Sequence, residues 1–144
     1  MSLDDTPVDS SSDWVKDHLQ RYLATGGEDG HEWRGATTLA LTTLGRRSGT
    51  PRRTMLIYGK DGDHYVVVAS KGGAPTHPLW YENLSASPEV VVQVQADRFH
   101  ARARTASAEE RPRLWKLMNG IWPDYESYQQ RTAREIPVVV LERI

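Results

Sequence analysis

The chain has 144 residues and contains no cysteine. Disulfide bonds, thiolate metal sites, iron–sulfur clusters and cysteine nucleophiles are therefore excluded. The chain also lacks any apolar run near the roughly 20 residues that a membrane-spanning helix needs. Its 18 basic and 19 acidic residues give a formal net charge of -1, so nucleic acid is not the expected partner. The first residues are acidic and lack the apolar centre of a signal peptide, so the expected compartment is the cytoplasm.

Common catalytic and nucleotide-binding motifs are missing as well. The sequence has no Gly-x-Ser-x-Gly, no Gly-x-Gly-x-x-Gly and no P-loop, and its five histidines are scattered. His31 and Glu32 are similar to the start of a zincin motif, but no second histidine follows at the required spacing, so no metal site is predicted. A chain of this kind fits chemistry that is carried by a bound cofactor.

A cationic stretch, which we call the arginine loop, occupies residues 45–53 with the sequence GRRSGTPRR. Four arginines fall within eight residues, and no Asp or Glu occurs from residue 35 to residue 60. Glycine and proline predict a turn between two strands. The planar fork of arginine suits phosphate and carboxylate groups, which favours a small anionic ligand. A solvated surface turn is the alternative interpretation.

A second glycine-rich stretch, which we call the glycine loop, occupies residues 70–75 with the sequence SKGGAP. It follows a β-branched run and leads into a helix predicted from about residue 78, where backbone amides favour an anion. An ordinary strand–helix connection is the alternative. The two basic glycine-rich loops flank one group of predicted strands, and this arrangement favours a shared ligand.

Hydrophobic periodicity predicts an α+β fold, with a disordered polar tail at residues 1–11 and a single domain at residues 12–144. A first helix with one apolar face follows the tail, and a capping box at residues 107–110 begins a later helix. The predicted strands are residues 37–44, 54–59, 64–69, 90–95, 99–105 and 137–141. The first three are expected to form an antiparallel meander. About six strands with flanking helices predict a small antiparallel β-barrel.

Aromatic residues are unevenly distributed, with five Trp and six Tyr but one Phe. Trp122, Tyr125 and Tyr128 are spaced to share one helical face. Three polar-tipped aromatic residues together favour the lining of a pocket for a flat ligand, and core packing is the alternative.

The combined motifs resemble the deazaflavin (cofactor F420)-dependent nitroreductase family of actinobacteria. The stretches that carry the resemblance are YxxTGGxxG at 22–30, LGRRSGxPR at 44–52, VASKGGAP at 68–75, HPLWYxNL at 77–84, PEV at 88–90, RPRLW at 111–115, WPxYxxYQ at 122–129 and IPV at 136–138. They cover about residues 14–143, and their combination is specific where any single one is not. Family members carry Tyr or Trp at the Trp122 position.

The resemblance implies a split β-barrel related to flavin-reductase and pyridoxamine-oxidase barrels. It also implies reduced F420 as hydride donor, with quinones, nitroaromatics or other activated unsaturated compounds as acceptors. The residues implied to hold the phosphate and polyglutamate tail are Arg46, Arg47, Ser48 and Arg52. Those implied to hold the deazaflavin end and line its cleft are Ser70, Lys71, Gly72, Gly73, Leu79, Trp80 and Asn83.

On the acceptor side, the resemblance implies that Tyr125 and Tyr128 face the acceptor. Ser70 or a tyrosine hydroxyl would then hydrogen-bond the acceptor oxygen as charge develops there. Where the best-known quinone-reducing type has tyrosine in the second strand, this chain has Ile57. Activity on nitro drugs or menaquinone therefore does not follow from the resemblance.

Two other functions compete with that of a reductase. One is a non-catalytic barrel that stores F420, FMN, haem or another anionic or lipid ligand. The other is a nucleic-acid or phosphopeptide module, against which the near-neutral charge and the absence of aromatic residues in the arginine loop both argue. Barrels of this type often pair, so a homodimer is an expectation. Peripheral attachment to the inner face of the membrane is a weaker alternative to the cytoplasm, because the first helix carries charges of both signs.

Overall fold

The computed structural model describes residues 2–10 and 12–144, which contain nine strands and four α-helices. The strands are β1 Val8–Asp9, β2 Glu32–Trp33, β3 Ala36–Leu44, β4 Pro51–Ile57, β5 Gly59–Asp61, β6 His64–Val68, β7 Glu89–Val94, β8 Asp97–Thr105 and β9 Val138–Arg143. The helices are α1 Asp13–Ala24, α2 Leu79–Ala86, α3 Arg111–Ile121 and α4 Asp124–Gln130, and a 3-10 turn, Lys71–Gly73, lies in the glycine loop. None of the helices in these residues has the length and apolar character that crossing a bilayer requires.

The α+β class is confirmed, but the strand count exceeds the predicted six. The additional strands β1, β2 and β5 have two or three residues each. Segments this short show no hydrophobic alternation, so periodicity cannot reveal them. The strands lie in the order β1-β4-β3-β7-β8-β9-β6-β5, with β2 paired to β3. All pairs are antiparallel except β1 with β4.

The predicted meander of the first three long strands is wrong. Strand β4 pairs with β3, whereas β6 pairs with β9 across the sheet. Residues 66–68 and 138–140 are apolar and almost fully buried, so pairing these two strands shields both. Strand β4 instead carries exposed and half-buried polar residues. Within the described residues no ladder joins β4 to β6, and the sheet stays open between them.

Buried apolar residues form three clusters. The first joins β3, β7 and β8 to β9 and α2, and the second lies where α3 and α4 cover β6 and β9. Helix α1 packs against the sheet through Leu19 and Tyr22, which contact Ala40 and Met55. Burying one such large side chain contributes about 1.5–3 kcal/mol. Helices α1 and α4 therefore lie on either side of the open part of the sheet.

The amino-terminal segment differs from its prediction. The disordered tail expected at residues 1–11 is wrong for residues 2–10, because β1 extends the sheet along β4. The Asp9 carboxylate accepts a hydrogen bond from Nε of Arg53 at 2.7 Å, with both side chains about one-fifth exposed. A polar segment can add to a sheet edge because main-chain hydrogen bonds supply the pairing. The other two tail residues lie outside the described residues.

The predicted capping box at residues 107–110 is confirmed. The Ser107 amide donates to the Glu110 carboxylate at 3.0 Å, and the Glu110 amide donates to the Ser107 hydroxyl at 3.2 Å. The Arg104 guanidinium donates to both Glu110 oxygens at 2.6 and 2.9 Å. These contacts, led by Arg104, lower the pKa of Glu110 to about 2. Helix α3 begins at the next residue and is fixed over β6 and β9.

Candidate functional site

Two cavities lie end to end along the open part of the sheet. The first cavity has a volume of about 440 Å³ and lies among α1, β4, the glycine loop and α4. The second cavity has a volume of about 360 Å³ and lies among β1, β4 and α2. Thr54, Lys71, Pro78 and Trp80 line both. The two cavities are therefore parts of one cleft, with Lys71 and Trp80 at its middle.

A stack of three tryptophans forms one wall of the first cavity. Trp33 lies between Trp14 and Trp122, with ring centroids 5.6 and 5.3 Å away and interplanar angles of 18° and 28°. The three rings come from α1, β2 and the turn between α3 and α4, so the stack joins three separate elements. A broad aromatic wall of this kind suits a flat ligand, although its outer ring, Trp14, is 60% exposed.

Helix α4 places Tyr125 and Tyr128 in the first cavity, with their ring centroids 6.1 Å apart in an edge-on arrangement. Tyr125 is only 5% exposed. Burial, and to a lesser degree the neighbouring Tyr128, raises the pKa of the Tyr125 phenol. Tyr125 therefore stays protonated at neutral pH, and its O–H can donate a hydrogen bond to an oxygen in the cavity.

His18 and Thr38 add polar groups to this largely apolar cavity. The His18 Nε2–H and the Thr38 hydroxyl both donate to the carbonyl oxygen of Gly30, each at 2.7 Å. Both side chains are buried, and this shared acceptor fixes their orientation. The sequence prediction gave His18 no function. Its signal is that it shares one face of α1 with Trp14 and Val15, which also line the cavity.

The glycine loop brings backbone amides to the cleft. Lys71, Gly72 and Gly73 have φ angles of 47°, 63° and 82°, which is the left-handed region. No described residue accepts a hydrogen bond from the amides of Ser70, Lys71 or Gly72, and these three residues line the first cavity. Successive free amides in such a turn form a concave site for a negatively charged oxygen. A Cβ at Gly73 would lie 2.5 Å from the carbonyl oxygen of Tyr128, so the loop packs tightly on α4.

The second cavity carries positive charge. Arg52, Arg53 and Lys71 line it, together with Asp9 from β1. Asp9 pairs with Arg53, whereas Arg52 and Lys71 have no carboxylate partner among the described residues. Lys71 Nζ donates only to the hydroxyl of Thr76, at 3.3 Å. The two cations are therefore available to an anionic ligand.

The remaining arginine-loop residues lie beside the second cavity rather than in its lining. The structure places Arg46, Arg47 and Ser48 outside both cavities. The Arg46 guanidinium pairs with Glu82 at 3.1 Å, and the Arg46 amide donates to Asn83 Oδ1 at 3.1 Å. Asn83 is 6% exposed, so it connects the arginine loop to α2 while its surface also borders the second cavity.

The cleft therefore unites most of the residues that the sequence singled out. Lining the first cavity are Ser70, Lys71, Gly72, Trp80, Tyr125 and Tyr128, and lining the second are Arg52, Lys71, Leu79, Trp80 and Asn83. Gly73 is buried behind the loop. Sequence reasoning missed Trp14, Trp33 and β1 as parts of the cleft, and it missed Arg134, which contacts the glycine loop from behind.

One protein-family profile and several known proteins match most of this chain. The profile of the F420H(2)-dependent quinone reductase family matches residues 14–143. An F420H(2)-dependent quinone reductase of Mycobacterium tuberculosis is 44% identical over 130 residues, which are 88% of this chain and 87% of the relative.

Two solved structures are similar in both fold and sequence. One is described as an F420-H2 dependent reductase (FDR-A), with 40% identity, a TM-score of 0.68 and coverage of 76% of this chain and 95% of that chain. The other is described as a domain-swapped dimer, with 39% identity, a TM-score of 0.71 and coverage of 92% and 100%. The family match and these relatives confirm the resemblance that the motifs indicated: the chain belongs to the F420H(2)-dependent quinone reductase family.

Proposed function

We propose that this protein is an oxidoreductase that transfers a hydride from reduced F420 to a quinone, a nitroaromatic or another activated unsaturated acceptor. The observation that carries the proposal is the single cleft, which has cations in one half and tryptophan and tyrosine rings in the other. Such a cleft can hold a ligand that is anionic at one end and planar at the other.

The donor groups of the cleft fit F420, which has a flat tricycle, a phosphodiester and several carboxylates. Arg52 and Lys71 would hold the phosphate, and Leu79, Trp80 and Asn83 would line the same part of the cleft. The residues beyond it that would receive the carboxylate tail are Arg46, Arg47 and Ser48. The free amides of Ser70, Lys71 and Gly72 would hold oxygens of the deazaflavin end, with Gly73 permitting the close fit.

When bound, reduced F420 supplies the hydride. The residues of this chain bind and orient the reactants. The aromatic walls would bind a flat acceptor beside the cofactor and limit the access of water. As negative charge develops on the acceptor oxygen, the Tyr125 phenol or the Ser70 hydroxyl donates a hydrogen bond to it. Tyr128 lines the same side of the cavity and orients the acceptor.

Ile57 lines the first cavity and offers no hydroxyl where the best-known quinone-reducing type has tyrosine. We therefore expect this position to limit the reduction of menaquinone-type quinones and of nitroaromatics alike. Comparing both acceptors with wild-type protein and with Ile57→Tyr tests this. A gain in turnover of either acceptor in Ile57→Tyr would support the role given to this position, and unchanged turnover of both would contradict it.

The main experiment is a titration with F420 and, in parallel, with FMN, followed by an assay of quinone-dependent oxidation of reduced F420. We expect F420 to bind more tightly than FMN and its oxidation to require the protein. Tight binding without oxidation by any acceptor would instead indicate a storage protein. Ser70→Ala and Tyr125→Phe then separate the two hydroxyl donors, and unchanged turnover in either variant removes that residue from the proposed role.

We also propose that residues 12–144 act as one F420-binding domain with a split-barrel sheet, and that two copies pair. The open seam between β4 and β6 supports the split barrel, because a fully closed barrel would have a ladder there. The similar structure described as a domain-swapped dimer supports pairing. Light scattering of the purified protein tests pairing, and a monomer at micromolar concentration would contradict it.

A further inference from the structure

Arg134 lies between α4 and β9 and is tied to the glycine loop. Its guanidinium donates four hydrogen bonds, from Nε to the Ala74 carbonyl at 2.8 Å, from Nη1 to the Ala69 carbonyl at 3.2 Å and to His77 Nδ1 at 3.0 Å, and from Nη2 to the Ser70 carbonyl at 2.7 Å. One side chain thus contacts the chain both before and after the turn, and it closes the two ends of the loop together.

These contacts determine which way the peptide groups face. In a trans peptide the N–H points opposite to the preceding carbonyl. Because the carbonyls of Ala69 and Ser70 point to Arg134, the amides of Ser70 and Lys71 point away from it. Both amides belong to the three described above as free, because no described residue offers them an acceptor. Ser70 and Lys71 also line the cleft.

We propose that Arg134 is a positioning residue for cofactor binding, whose guanidinium holds the glycine loop so that its amides bind the negatively charged oxygens of F420. This inference rests on the proposed function. Arg134 does not touch the cofactor itself. Its hydrogen bonds keep the carbonyl oxygens, which would repel an anion, on the side of the loop away from the cleft. Its positive charge lies behind the amides.

The planar fork of arginine is needed for this arrangement. Three carbonyls and one imidazole nitrogen accept from fixed directions, which an ammonium group on a flexible stem cannot match together. His77 accepts at Nδ1, so this nitrogen carries no proton. Burial and the Arg134 charge lower the pKa of His77, while Glu82 opposes the change, and His77 remains neutral at pH 7.

The test compares Arg134→Gln and Arg134→Lys with Arg131→Gln as the matched control. Arg131 lies on the same segment, but among the described residues its guanidinium hydrogen-bonds the loop only at the Gly72 carbonyl, at 3.5 Å. We expect F420 to bind about 10- to 100-fold more weakly in both Arg134 variants, since each loses charged hydrogen bonds. The control should stay within about threefold of wild type, because an exposed contact of this kind contributes little. Binding of a quinone without F420, followed by tryptophan fluorescence, should weaken much less than F420 binding in the Arg134 variants, because on the acceptor side the loop offers only the Ser70 hydroxyl as a proposed partner.

Two further measurements separate positioning from general stability. Amide hydrogen exchange at Gly73 and Ala74, whose amides donate to the carbonyls of Ser70 and Lys71, should accelerate in ligand-free Arg134→Gln and Arg134→Lys while exchange in the β3 core stays slow. Millimolar methylguanidinium should restore part of the F420 affinity of Arg134→Gly.

The proposal is overturned if F420 affinity is unchanged, or if F420 and quinone affinities fall equally with no rescue. If wild-type protein binds no F420, the proposed function fails instead, and the exchange rates still report whether Arg134 fixes the loop.

Discussion

His18 and Gly30 are packed so closely that a Cβ on residue 30 would lie 2.7 Å from His18 Cδ2. Gly30 has a φ of 97°, and its carbonyl accepts the His18 Nε2–H. Because residue 30 has no side chain, the His18 ring can pack directly against it, and this contact holds His18 in place in the first cavity.

Gly30→Ala should displace the His18 ring and change the cavity. Gly35→Ala is the matched control, because Gly35 has a φ of 83° but no atom within 4 Å of its added Cβ. Both variants should lose about 1–2 kcal/mol of unfolding free energy from the positive φ. Only Gly30→Ala should also weaken quinone binding, measured by tryptophan fluorescence. Equal quinone affinity in the two variants would contradict this role of His18.

Arg52 and Arg47 should contribute differently to cofactor binding, although both belong to the arginine loop. Arg52 lines the second cavity, whereas Arg47 lies outside both cavities. Arg52→Gln should weaken F420 binding about tenfold, because it removes a charged partner of the phosphate. Arg47→Gln should weaken it less than about threefold and only at low salt. Titrations at two ionic strengths measure both effects, and a larger effect at Arg47 would show that the carboxylate tail, and not the phosphate in the second cavity, supplies most of the affinity.

Trp33 is the central ring of the tryptophan stack, and Trp33→Leu should therefore open the wall of the first cavity. Two ring pairs are lost, each worth about 0.5–1.5 kcal/mol. The quinone KM should rise several-fold, and F420 affinity should fall as well, since the planar end of F420 is also placed in the first cavity. Trp115→Leu, which removes a tryptophan outside both cavities, is the control. Unchanged quinone KM and F420 affinity in Trp33→Leu would show that the stack does not support the cavity wall.

The capping box gives a prediction for acid stability. The pKa of Glu110 is about 2 in the folded protein, below its ordinary value of 4.5, mainly because of Arg104. The unfolded state therefore binds more protons in this range, so the stabilisation is present above about pH 4.5 and is lost as the pH falls towards 2. Melting temperatures of wild type and Glu110→Ala should converge over this window. Glu109→Ala, which removes a neighbouring carboxylate that does not pair with Arg104 in the described residues, is the control.

Local patterns were the most reliable part of the sequence prediction. The capping box at residues 107–110 and the turn in the arginine loop depend on neighbours a few residues apart, and both are present in the structure. The family resemblance is likewise confirmed. It could be recognised because the motifs and their order can be read from the sequence without knowledge of the fold. The roles assigned to Ser70, Tyr125 and the arginine loop stay predictions, although Ser70, Arg52 and Tyr125 do meet in one cleft.

Long-range pairing could not be predicted from the sequence. By sequence, the valines of β6 could pair with β9 or equally well with a nearby strand. The pairing with β9 depends on which faces of the strands become buried. β1 was missed because a polar edge strand has no hydrophobic signature. Arg134 was missed because its partners are backbone carbonyls some 60 residues earlier, and carbonyls are the same in every residue.

The seam between β4 and β6 has a practical consequence for finding the natural acceptor. A molecule bound there contacts both β4 and the glycine loop that follows β6, two strands that no ladder joins in the described residues, and it does so only in the folded protein. Each ligand should therefore raise the melting temperature according to its affinity, with about 2.7 kcal/mol added at a concentration one hundred times its Kd. Thermal-shift screening of quinone collections can thus rank candidate substrates before any reduced cofactor is prepared.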